Sequence, residues 1–545
     1  MKIALAQINV IIGDFEHNTR KMLDYIQRAK SQEADIIVFP ELATTGYPPR
    51  DFLEFSDFIE KAENAINRLK EASQGIAVVV GTPTVNPVVE GKDLYNSVVF
   101  LHDGKEIYRQ HKTLLPTYDI FDEARYFEEA SAWNIVEFQG KKIALTVCED
   151  LWNLGNENPL YTINPMDEMM KHRPDFIINV SASPFDYNHA TERIKILKEN
   201  VKQYGIPLVY VNHVGAQTDI IFDGGSLAIS PNQKVVKELP YFTESLEIVK
   251  VDELIKNQTE HQQPKEKIAL IHEALVLGIK DYFGKIGFKT AVVGLSGGLD
   301  SAVTTVLAVE ALGKENVRVL LMPSQFSSDH SIKDAKDLAE NLGIRYDIVP
   351  IKDIFDSYLK ELNPLFEGKP FDVTEENIQA RIRGNLLMAI SNKFGNILLN
   401  TSNKSEMSVG YGTLYGDLAG GISVIADVYK TEVYDLAHYI NRDKEIIPLN
   451  TIQKPPSAEL RPDQKDSDSL PDYDILDPIL KHYIEGRKSP KEIIALGYDE
   501  ALVNRILKLV NRNEFKRYQT APVLRVSPKA FGMGRRMPIV AKYLE

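Results

Sequence analysis

The sequence predicts an α/β protein built from layered sheets and helices. Apolar strand candidates lie at residues 2–10, 34–42, 76–83, 94–101, 142–150, 175–183 and 207–215, and again at 290–296, 317–324, 345–351 and 396–402. Helical patterns such as 17–31 and 191–205 separate several of them, and strands that alternate with helices favour a layered α/β core over an all-β barrel. The segments VVF, FIINV and LVYV are apolar on both faces, as expected for strands that are covered on either side.

A polar stretch divides the two series of strands. Residues 252–266 (DELIKNQTEHQQPKE) lack apolar periodicity, which is typical of a linker. A chain of 545 residues is long enough to bury two cores without disulfide bonds. We therefore predict domains at 1–255 and 267–545, joined by a linker at 256–266. An acidic, weakly apolar segment at 458–474 is predicted to be a mobile loop that acts as a lid.

The composition excludes several classes of function. With 63 basic and 77 acidic residues the net charge is −14, which disfavours binding to nucleic acid or to an anionic membrane. No apolar run approaches the ~18 residues of a membrane-spanning helix, and the first apolar run is too short for a secretory signal. The one cysteine can form no intrachain disulfide. We expect a cytoplasmic protein that acts on small molecules, with no nucleic-acid or membrane partner.

Three reactive side chains follow strand candidates in the first half. Cys148, the only cysteine, ends an apolar run; on position alone it is either a small buried residue or a nucleophile. Glu41 follows the run DIIVF, and Lys112 lies in a polar stretch after the strand that ends near Leu101. This set suits acyl transfer through a thioester. Glu41 would take the thiol proton and later activate water, while Lys112 and a backbone N–H near residue 149 would stabilise the oxyanion.

The segments that carry these residues also resemble a known family. PELATTGYP, HKTLLPTYDIFDEARYF and VCEDLW are similar, in content and order, to the Glu, Lys and Cys signatures of the nitrilase-type amidohydrolases. The resemblance implies an α-β-β-α sandwich. It also implies that Glu41 is the base, Lys112 the charge stabiliser and Cys148 the nucleophile, and it places the family's additional glutamate at Glu123.

A glycine-bearing turn marks the second half. In VVGLSGGLDSAVTTVLAVEAL (292–312), a strand leads through adjacent glycines into a helix, whose free N–H groups and dipole favour a polyanion. Ser296 and Ser301 add hydroxyl donors, but no lysine follows the glycines, so this is not a Walker A loop. Asp300 would repel phosphate unless it holds Mg²⁺. The segment therefore predicts a site for a nucleotide with its magnesium ion.

The motif SGGLDS resembles the pyrophosphate loop of the N-type ATP pyrophosphatases, which activate a carboxyl or carbonyl group as an adenylate. The absence of cysteine after residue 148 disfavours the tRNA-thiolating members, and the lysine after Met1 disfavours asparagine synthetases. GMP synthetases carry a Cys–His–Glu amidotransferase unlike this first half. The segments 375–393, 398–420, 426–437 and 513–524 resemble NAD synthetases, and the order of the two halves is that of the glutamine-dependent NAD synthetase family.

That resemblance implies the remaining site residues and co-substrates. The implied ATP contacts are Leu295, Ser296, Gly297, Gly298, Asp300, Ser301 and Thr401, with Mg²⁺ held by Asp300 and Glu406. Around nicotinic acid adenine dinucleotide (deamido-NAD) would lie Asn377, Glu406, Lys430 and Lys516, and around glutamine Tyr118, Ser183 and His189. The family also implies a C-terminal doubly wound parallel sheet, a homo-oligomer and a sheltered path for ammonia.

We therefore predict an ATP-dependent ligase. It would hydrolyse glutamine to glutamate and ammonia, adenylate deamido-NAD and amidate it to NAD, with release of AMP and pyrophosphate. Two alternatives stay open: a glutamine-fed amidotransferase of the same loop class that acts on another adenylated carboxylate, and a nucleotide-binding regulatory protein with a degenerate amidase half.

Overall fold

The computed structural model describes all residues except 155–159, 257–259, 261–262, 264–265, 463, 465, 469 and 545. The chain forms two compact units, Met1–Lys265 and Glu266–Glu545. Most of the predicted linker, 256–266, lies outside the described residues. No helix in the described part of the chain is both long and apolar enough to span a membrane.

The first unit contains two six-stranded sheets and a hairpin. Its strands are β1 (Lys2–Gln7), β2 (Ile36–Val38), β3 (Ala77–Val85), β4 (Leu94–His102), β5 (Lys105–His111), β6 (Val136–Phe138), β7 (Lys141–Val147), β8 (Phe176–Ser181), β9 (Leu208–Asn212), β10 (Val214–Gln217), β11 (Ile220–Asp223), β12 (Leu227–Ile229), β13 (Val235–Glu238) and β14 (Ser245–Lys250). Its helices are α1 (Phe15–Ser31), α2 (Ser56–Ala72), α3 (Pro165–Met169), α4 (His189–Tyr204) and α5 (Val251–Lys256). The sheet orders are β14-β1-β2-β3-β4-β5 and β13-β12-β9-β8-β7-β6, with β10 paired to β11.

These elements form the layers of an α-β-β-α sandwich. The inner faces of the two sheets share one core, to which β1 contributes Leu5 and β7 contributes Leu145. On its outer face β1 packs Ala4 under α1 and α2, and α4 covers the second sheet in the same way. Both faces of the central strands are therefore buried, which explains their continuous apolar sequences. At the edge of the first sheet, β1 pairs antiparallel with β14, so that Lys2 lies opposite Lys250.

The second unit is built on a five-stranded parallel sheet. Its strands are β15 (Ala291–Gly294), β16 (Val317–Leu321), β17 (Arg345–Ile348), β18 (Ile397–Asn400) and β19 (Ile422–Ser423), in the order β17-β16-β15-β18-β19. Its helices are α6 (Lys267–Ile286), α7 (Leu299–Leu312), α8 (Asp329–Leu342), α9 (Lys352–Leu362), α10 (Val373–Phe394), α11 (Lys404–Val409), α12 (Lys430–Ile440), α13 (Leu449–Gln453), α14 (Tyr473–Ile484), α15 (Pro490–Ile494), α16 (Glu500–Arg512) and α17 (Glu514–Arg517). Strand order reverses at β15, and ligands of open parallel sheets bind at such a switch point.

Two local predictions differ from the structure. Lys112 does not follow the strand that ends near Leu101 directly, because β5 (KEIYRQH) intervenes and Lys112 comes after it. Within the predicted loop 458–474, the described residues make specific contacts: the Glu459 carboxylate accepts hydrogen bonds from the hydroxyls of Ser328 (2.7 Å) and Ser331 (2.8 Å). Residues 463, 465 and 469 of this segment lie outside the described part.

Candidate active sites

Four predicted catalytic residues are buried in the first unit, and three of them follow strands. Glu41 follows β2, Lys112 follows β5 and Cys148 follows β7, while Glu123 begins a short helical turn. Glu41 and Lys112 are 0% exposed, and Glu123 and Cys148 are each 5% exposed. Ionisable groups are rarely buried unless they are paired, so their partners decide what this site can do.

Lys112 joins the two glutamates. Its Nζ donates to Glu41 Oε1 and to both carboxylate oxygens of Glu123, each at 2.8 Å. The backbone N–H of Ala182, just after β8, donates to Glu41 Oε2 at 2.8 Å, and the hydroxyl of Tyr47 donates to Glu123 Oε1 at 2.8 Å. The carboxylates and the ammonium therefore form one connected cluster.

The cluster keeps Lys112 positively charged. Burial by itself would lower the pKa of Lys112, but the carboxylates of Glu123 and Glu41 hold that pKa well above its ordinary value. Burial raises the pKa of Glu123, against the opposing effect of the Lys112 ammonium. A lysine held this firmly as the cation can stabilise developing negative charge, and it cannot serve as a general base.

The loop that carries Cys148 is fixed by a carboxylate. Cys148 has a φ of +42°, in the left-handed region that is costly for a residue with a side chain. Asp150 Oδ1 accepts the N–H groups of Thr113 and Leu114 at 2.9 Å each, and its Oδ2 accepts the N–H of Val147 at 3.0 Å. Asp150 therefore ties the Cys148 turn to the segment that begins at Lys112, which holds Cys148 in its strained position.

The buried Cys148 side chain is held as a neutral thiol. Burial, followed by the charge of Glu41, raises the pKa of Cys148 well above its ordinary value, and the Lys112 ammonium only partly opposes this. A thiol of this kind requires a base in order to react, since the thiolate is the nucleophilic form. Glu41 is a nearby acceptor of suitable chemistry.

The residues predicted to contact glutamine form two small groups. The hydroxyls of Tyr118 and Tyr161 donate to Glu149 Oε1 at 3.0 and 3.1 Å, and burial raises the pKa of Glu149 to about 7. Ser183 Oγ is hydrogen-bonded to His189 Nε2 at 2.6 Å. The ring of Trp152 stacks on His189, with 4.8 Å between centroids. An acidic group and a polar hydroxyl–imidazole pair thus lie on the two segments that follow β7 and β8.

The predicted phosphate loop of the second unit connects β15 to α7. Leu295 is buried beneath it, and the Ser301 hydroxyl accepts the N–H of Ser296 at 3.3 Å. Gly298 is the N-cap of α7 and donates its N–H to Ser296 Oγ at 3.2 Å. Gly297 has a φ of +84°, and a Cβ there would lie 2.1 Å from the carbonyl oxygen of Ser331. Only glycine fits this turn, which presents the free N–H groups of α7.

Two carboxylates and a lysine meet beside this loop. Asp300 accepts from Asn403 Nδ2 at 3.0 Å and from the Lys430 ammonium. Glu406 forms a capping box with Asn403, whose backbone N–H donates to Glu406 Oε2 at 3.2 Å. Burial and the neighbouring Asp300 raise the pKa of Glu406 well above its ordinary value. Burial would lower the pKa of Lys430, but Asp300 and Glu406 raise it.

This carboxylate pair fits Mg²⁺. In the described residues no group of three or more His, Cys, Asp or Glu side chains could hold a metal ion. Mg²⁺, however, is usually bound by one or two protein carboxylates, with phosphate oxygens and water completing its coordination. The mutual repulsion of Asp300 and Glu406 is what such a cation would relieve.

The other predicted nucleotide contacts lie nearby. Asn377 Oδ1 accepts the hydroxyl of Thr413 at 2.7 Å, and Lys516 donates to the carbonyls of Gly410 and Gly412 at 2.8 Å each. Asn377 and Lys516 therefore both contact the segment that follows α11. Thr401 lies directly after β18 and is partly buried.

Known proteins resemble the whole chain. A model of the carbon-nitrogen hydrolase family matches residues 2–258, and a model of the NAD synthase family matches residues 271–520. The glutamine-dependent NAD(+) synthetase of Synechocystis sp. is 45% identical over 99% of both chains. That of Acinetobacter baylyi is 42% identical, over 99% of this chain and 98% of its own. The chain belongs to the glutamine-dependent NAD(+) synthetase family. The predicted fold class, family and enzyme class are confirmed.

Solved structures of two glutamine-dependent NAD(+) synthetases have the same fold as this chain. The enzyme of Acinetobacter baumannii, determined in complex with adenosine diphosphate, has a TM-score of 0.79 at 39% identity and covers 99% of this chain and 98% of its own. The enzyme of Cytophaga hutchinsonii shares the fold, with a TM-score of 0.84 at 22% identity and the same coverage.

Several polar residues of the two sites have no motif of their own in the sequence. The sequence points to Glu149 and Asp150 as site residues only because they directly follow Cys148. Asn96 lies inside an apolar strand and gives no such signal. In the second unit, Asp477 accepts the hydroxyl of Ser405 at 2.5 Å and, with its other oxygen, the N–H of Thr431 at 2.9 Å. These two partners adjoin Glu406 and Lys430 in the sequence, so Asp477 fixes the spacing of that pair.

Proposed function

We propose that this chain forms NAD from deamido-NAD and ATP with nitrogen taken from glutamine, and that the residues described above are its two active sites. The observation that carries the proposal is the buried cluster of Glu41, Lys112 and Glu123 around the chain's only cysteine. A charged cluster inside a core is costly to bury, and its groups match the needs of thioester chemistry. The second unit adds a phosphate-binding turn on the same chain.

In the first unit, Glu41 takes the proton of the Cys148 thiol as the sulfur attacks the carboxamide carbon of glutamine. The carbonyl oxygen becomes an oxyanion, which Lys112 and a backbone N–H near residue 149 stabilise. The carbon–nitrogen bond then breaks, and ammonia leaves with the proton returned by Glu41. Water attacks the resulting thioester, with Glu41 again accepting a proton, and glutamate is released with the thiol restored.

Recognition of glutamine requires protein groups that bind its α-ammonium and α-carboxylate groups. Glu149 suits the α-ammonium group, since its hydroxyl donors Tyr118 and Tyr161 favour its ionised form against burial. Ser183 and His189 are the candidate donors to the α-carboxylate, at the N-terminal end of α4.

In the second unit, a nicotinate carboxylate oxygen of deamido-NAD attacks the α-phosphorus of ATP, and the bond to pyrophosphate breaks. The N–H groups of the Ser296–Ser301 turn and the N-terminus of α7 stabilise the departing pyrophosphate. Asp300 and Glu406 would hold Mg²⁺, which supplies neutralisation of the phosphate charge when bound. Ammonia then attacks the activated carboxyl carbon, loses a proton, and displaces AMP to give NAD.

The decisive experiment compares wild type with Cys148→Ala, each supplied with either glutamine or ammonium. The variant should lose NAD formation from glutamine and keep NAD formation from ammonium, because only the thioester step needs the thiol. Retained glutamine activity would show that Cys148 is structural. Failure of wild type with both nitrogen sources would redirect the proposal to another adenylated carboxylate, which pyrophosphate release with a panel of carboxylates would identify.

We further propose that ammonia passes to the adenylate without mixing with the medium, that the enzyme is a homo-oligomer, and that it acts in the cytoplasm. Ammonia in neutral water is mostly the non-nucleophilic ammonium ion, which favours direct transfer. Free entry of ¹⁵N from external ammonium into NAD during glutamine turnover would contradict direct transfer. Light scattering in solution tests the oligomer.

A further inference from the structure

Asn96 lies in the middle of the carboxylate cluster. It belongs to β4 and is 0% exposed. Its side-chain nitrogen donates to Glu41 Oε1 at 2.7 Å and to Glu123 Oε2 at 3.3 Å. Its backbone carbonyl accepts the N–H of Lys112 at 2.8 Å. One residue thus contacts all three charged members of the cluster.

The orientation of the Asn96 amide is fixed by the carboxylates. An ionised carboxylate only accepts hydrogen bonds, so the NH₂ group must face Glu41 and Glu123 and the amide oxygen must face away. That oxygen is buried, and among the described residues it has no hydrogen-bond partner. An unsatisfied buried acceptor is destabilising, so the contacts of the nitrogen offset a cost that an apolar residue would avoid.

The charge balance of the cluster explains what the nitrogen does. Two carboxylates share one ammonium, which leaves one negative charge in excess in a buried site. Asn96 supplies two further donors without adding a second cation. Removing them would leave Glu41 Oε1 with Lys112 as its remaining side-chain donor, and the Glu41 carboxylate would lose its link through Asn96 to Glu123.

We propose that Asn96 is a positioning residue of the amidase site, which holds the Glu41 carboxylate in place by bridging it to Glu123. This inference rests on the proposed role of Glu41 as the base. Asn96 acts through Glu41, so its loss should lower kcat for glutamine hydrolysis and leave KM for glutamine largely unchanged.

The test uses Asn96→Leu, which keeps the size of the side chain and removes both donors. The kcat and KM of glutamine hydrolysis are measured near neutral pH, alongside the rate at which iodoacetamide alkylates the protein. Because Cys148 is the only cysteine, the mass increase reports that thiol alone. We expect kcat for glutamine hydrolysis to fall about 10- to 100-fold with KM nearly unchanged, and the alkylation of Cys148 to slow by a similar factor. NAD formation from ammonium should not change.

Thr84→Val is the matched control. Thr84 Oγ1 is hydrogen-bonded to Ser97 Oγ at 2.6 Å between β3 and β4, so this variant also loses a buried hydrogen bond beside Asn96, but it touches neither carboxylate. It should leave kcat for glutamine hydrolysis and the alkylation rate nearly unchanged. If Asn96→Leu loses the ammonium reaction as well, Asn96→Ser replaces it in the same two measurements.

An unchanged kcat in the Asn96 variant, or an equal fall in kcat in Thr84→Val, would overturn the inference. Neither result would affect the proposed function, which depends on the loss of glutamine activity in Cys148→Ala.

Discussion

Replacing Lys112 by methionine should destabilise the first unit strongly. The substitution removes three hydrogen bonds of 2.8 Å and leaves two buried carboxylates without their counter-ion. Removing one partner of a buried ion pair typically costs about 3–5 kcal/mol, because the other charge stays buried. For a unit of this size, that corresponds to a fall in melting temperature of roughly 6–20 °C. Methionine retains most of the volume, so a cavity contributes little.

The destabilisation should depend on pH in a defined direction. Burial already raises the pKa of Glu123 above 4.5, and the Lys112 ammonium is what opposes this rise. In Lys112→Met the pKa of Glu123 in the folded state is therefore higher still. Between the unfolded and folded pKa values, the folded state then binds a proton that the unfolded state has lost. Stability gained in this way is present below the unfolded pKa and is lost as pH rises through the folded pKa. The loss of unfolding free energy relative to wild type should thus be smaller at about pH 5.5 than at about pH 8.

Tryptophan fluorescence measures this without interference from the second unit. The chain's two tryptophans, Trp133 and Trp152, both lie in the first unit. The control is Arg68→Met, which breaks an exposed ion pair with Glu16 and should change neither stability nor its pH dependence measurably. If Lys112→Met behaves like this control, or if its deficit is the same at both pH values, the cluster is not held by charge and the reasoning is wrong.

Three further outcomes follow from the sites. Gly297→Ala should reduce NAD formation roughly 100-fold with either nitrogen source, because the new Cβ forces the phosphate turn to move by about an ångström. Glutamine hydrolysis should persist. Normal NAD formation in this variant would contradict the requirement for glycine at this turn. Burial raises the pKa of Glu149 to about 7, so in wild type KM for glutamine should fall as pH rises through about 7. Tyr118→Phe removes a hydrogen bond that lowers this pKa, so in the variant KM should fall only at higher pH. An unmoved KM profile would exclude Glu149 from binding the α-ammonium. Asp477→Ala should raise KM for Mg·ATP about tenfold, whereas Ile479→Ala, which removes a buried apolar side chain from the same helix, should lower only the melting temperature.

Most of the long buried strands could be predicted from sequence, whereas the exposed edge strand β5 and the short buried strand β12 were missed. Strands β1, β3, β7, β8 and β9 carry apolar residues on both faces because layers cover them on both sides, and their positions agree closely with the predicted runs. The strand β5 was missed since KEIYRQH lies at the edge of its sheet and is largely exposed, so it has neither a continuous nor an alternating apolar pattern.

The roles of the site residues stay predictions, but the reasons for what was found and missed are physical. Glu41 and Cys148 stand out because a charged or reactive residue soon after a buried strand breaks the apolar pattern, whereas Lys112 follows the exposed strand β5 and stands out only through the segment that contains it. Asn96 lies inside the buried strand β4, where a single amide does not interrupt the apolar pattern enough to mark a site. Asp477 acts on residues that are distant in the sequence, and no local pattern reports such a contact.

The pairing of β1 with β14 has a consequence for synthesis of the chain on the ribosome. The edge of β1 stays unpaired until β14 has left the ribosome, because β14 is the strand that pairs with that edge. At about 5–20 residues per second, β1 waits on the order of ten seconds or more with that edge open, and open edges invite pairing with other nascent chains. Expression of the amidase unit alone should therefore give monodisperse protein when the cut follows Lys256. Aggregates are expected when it precedes Ser245.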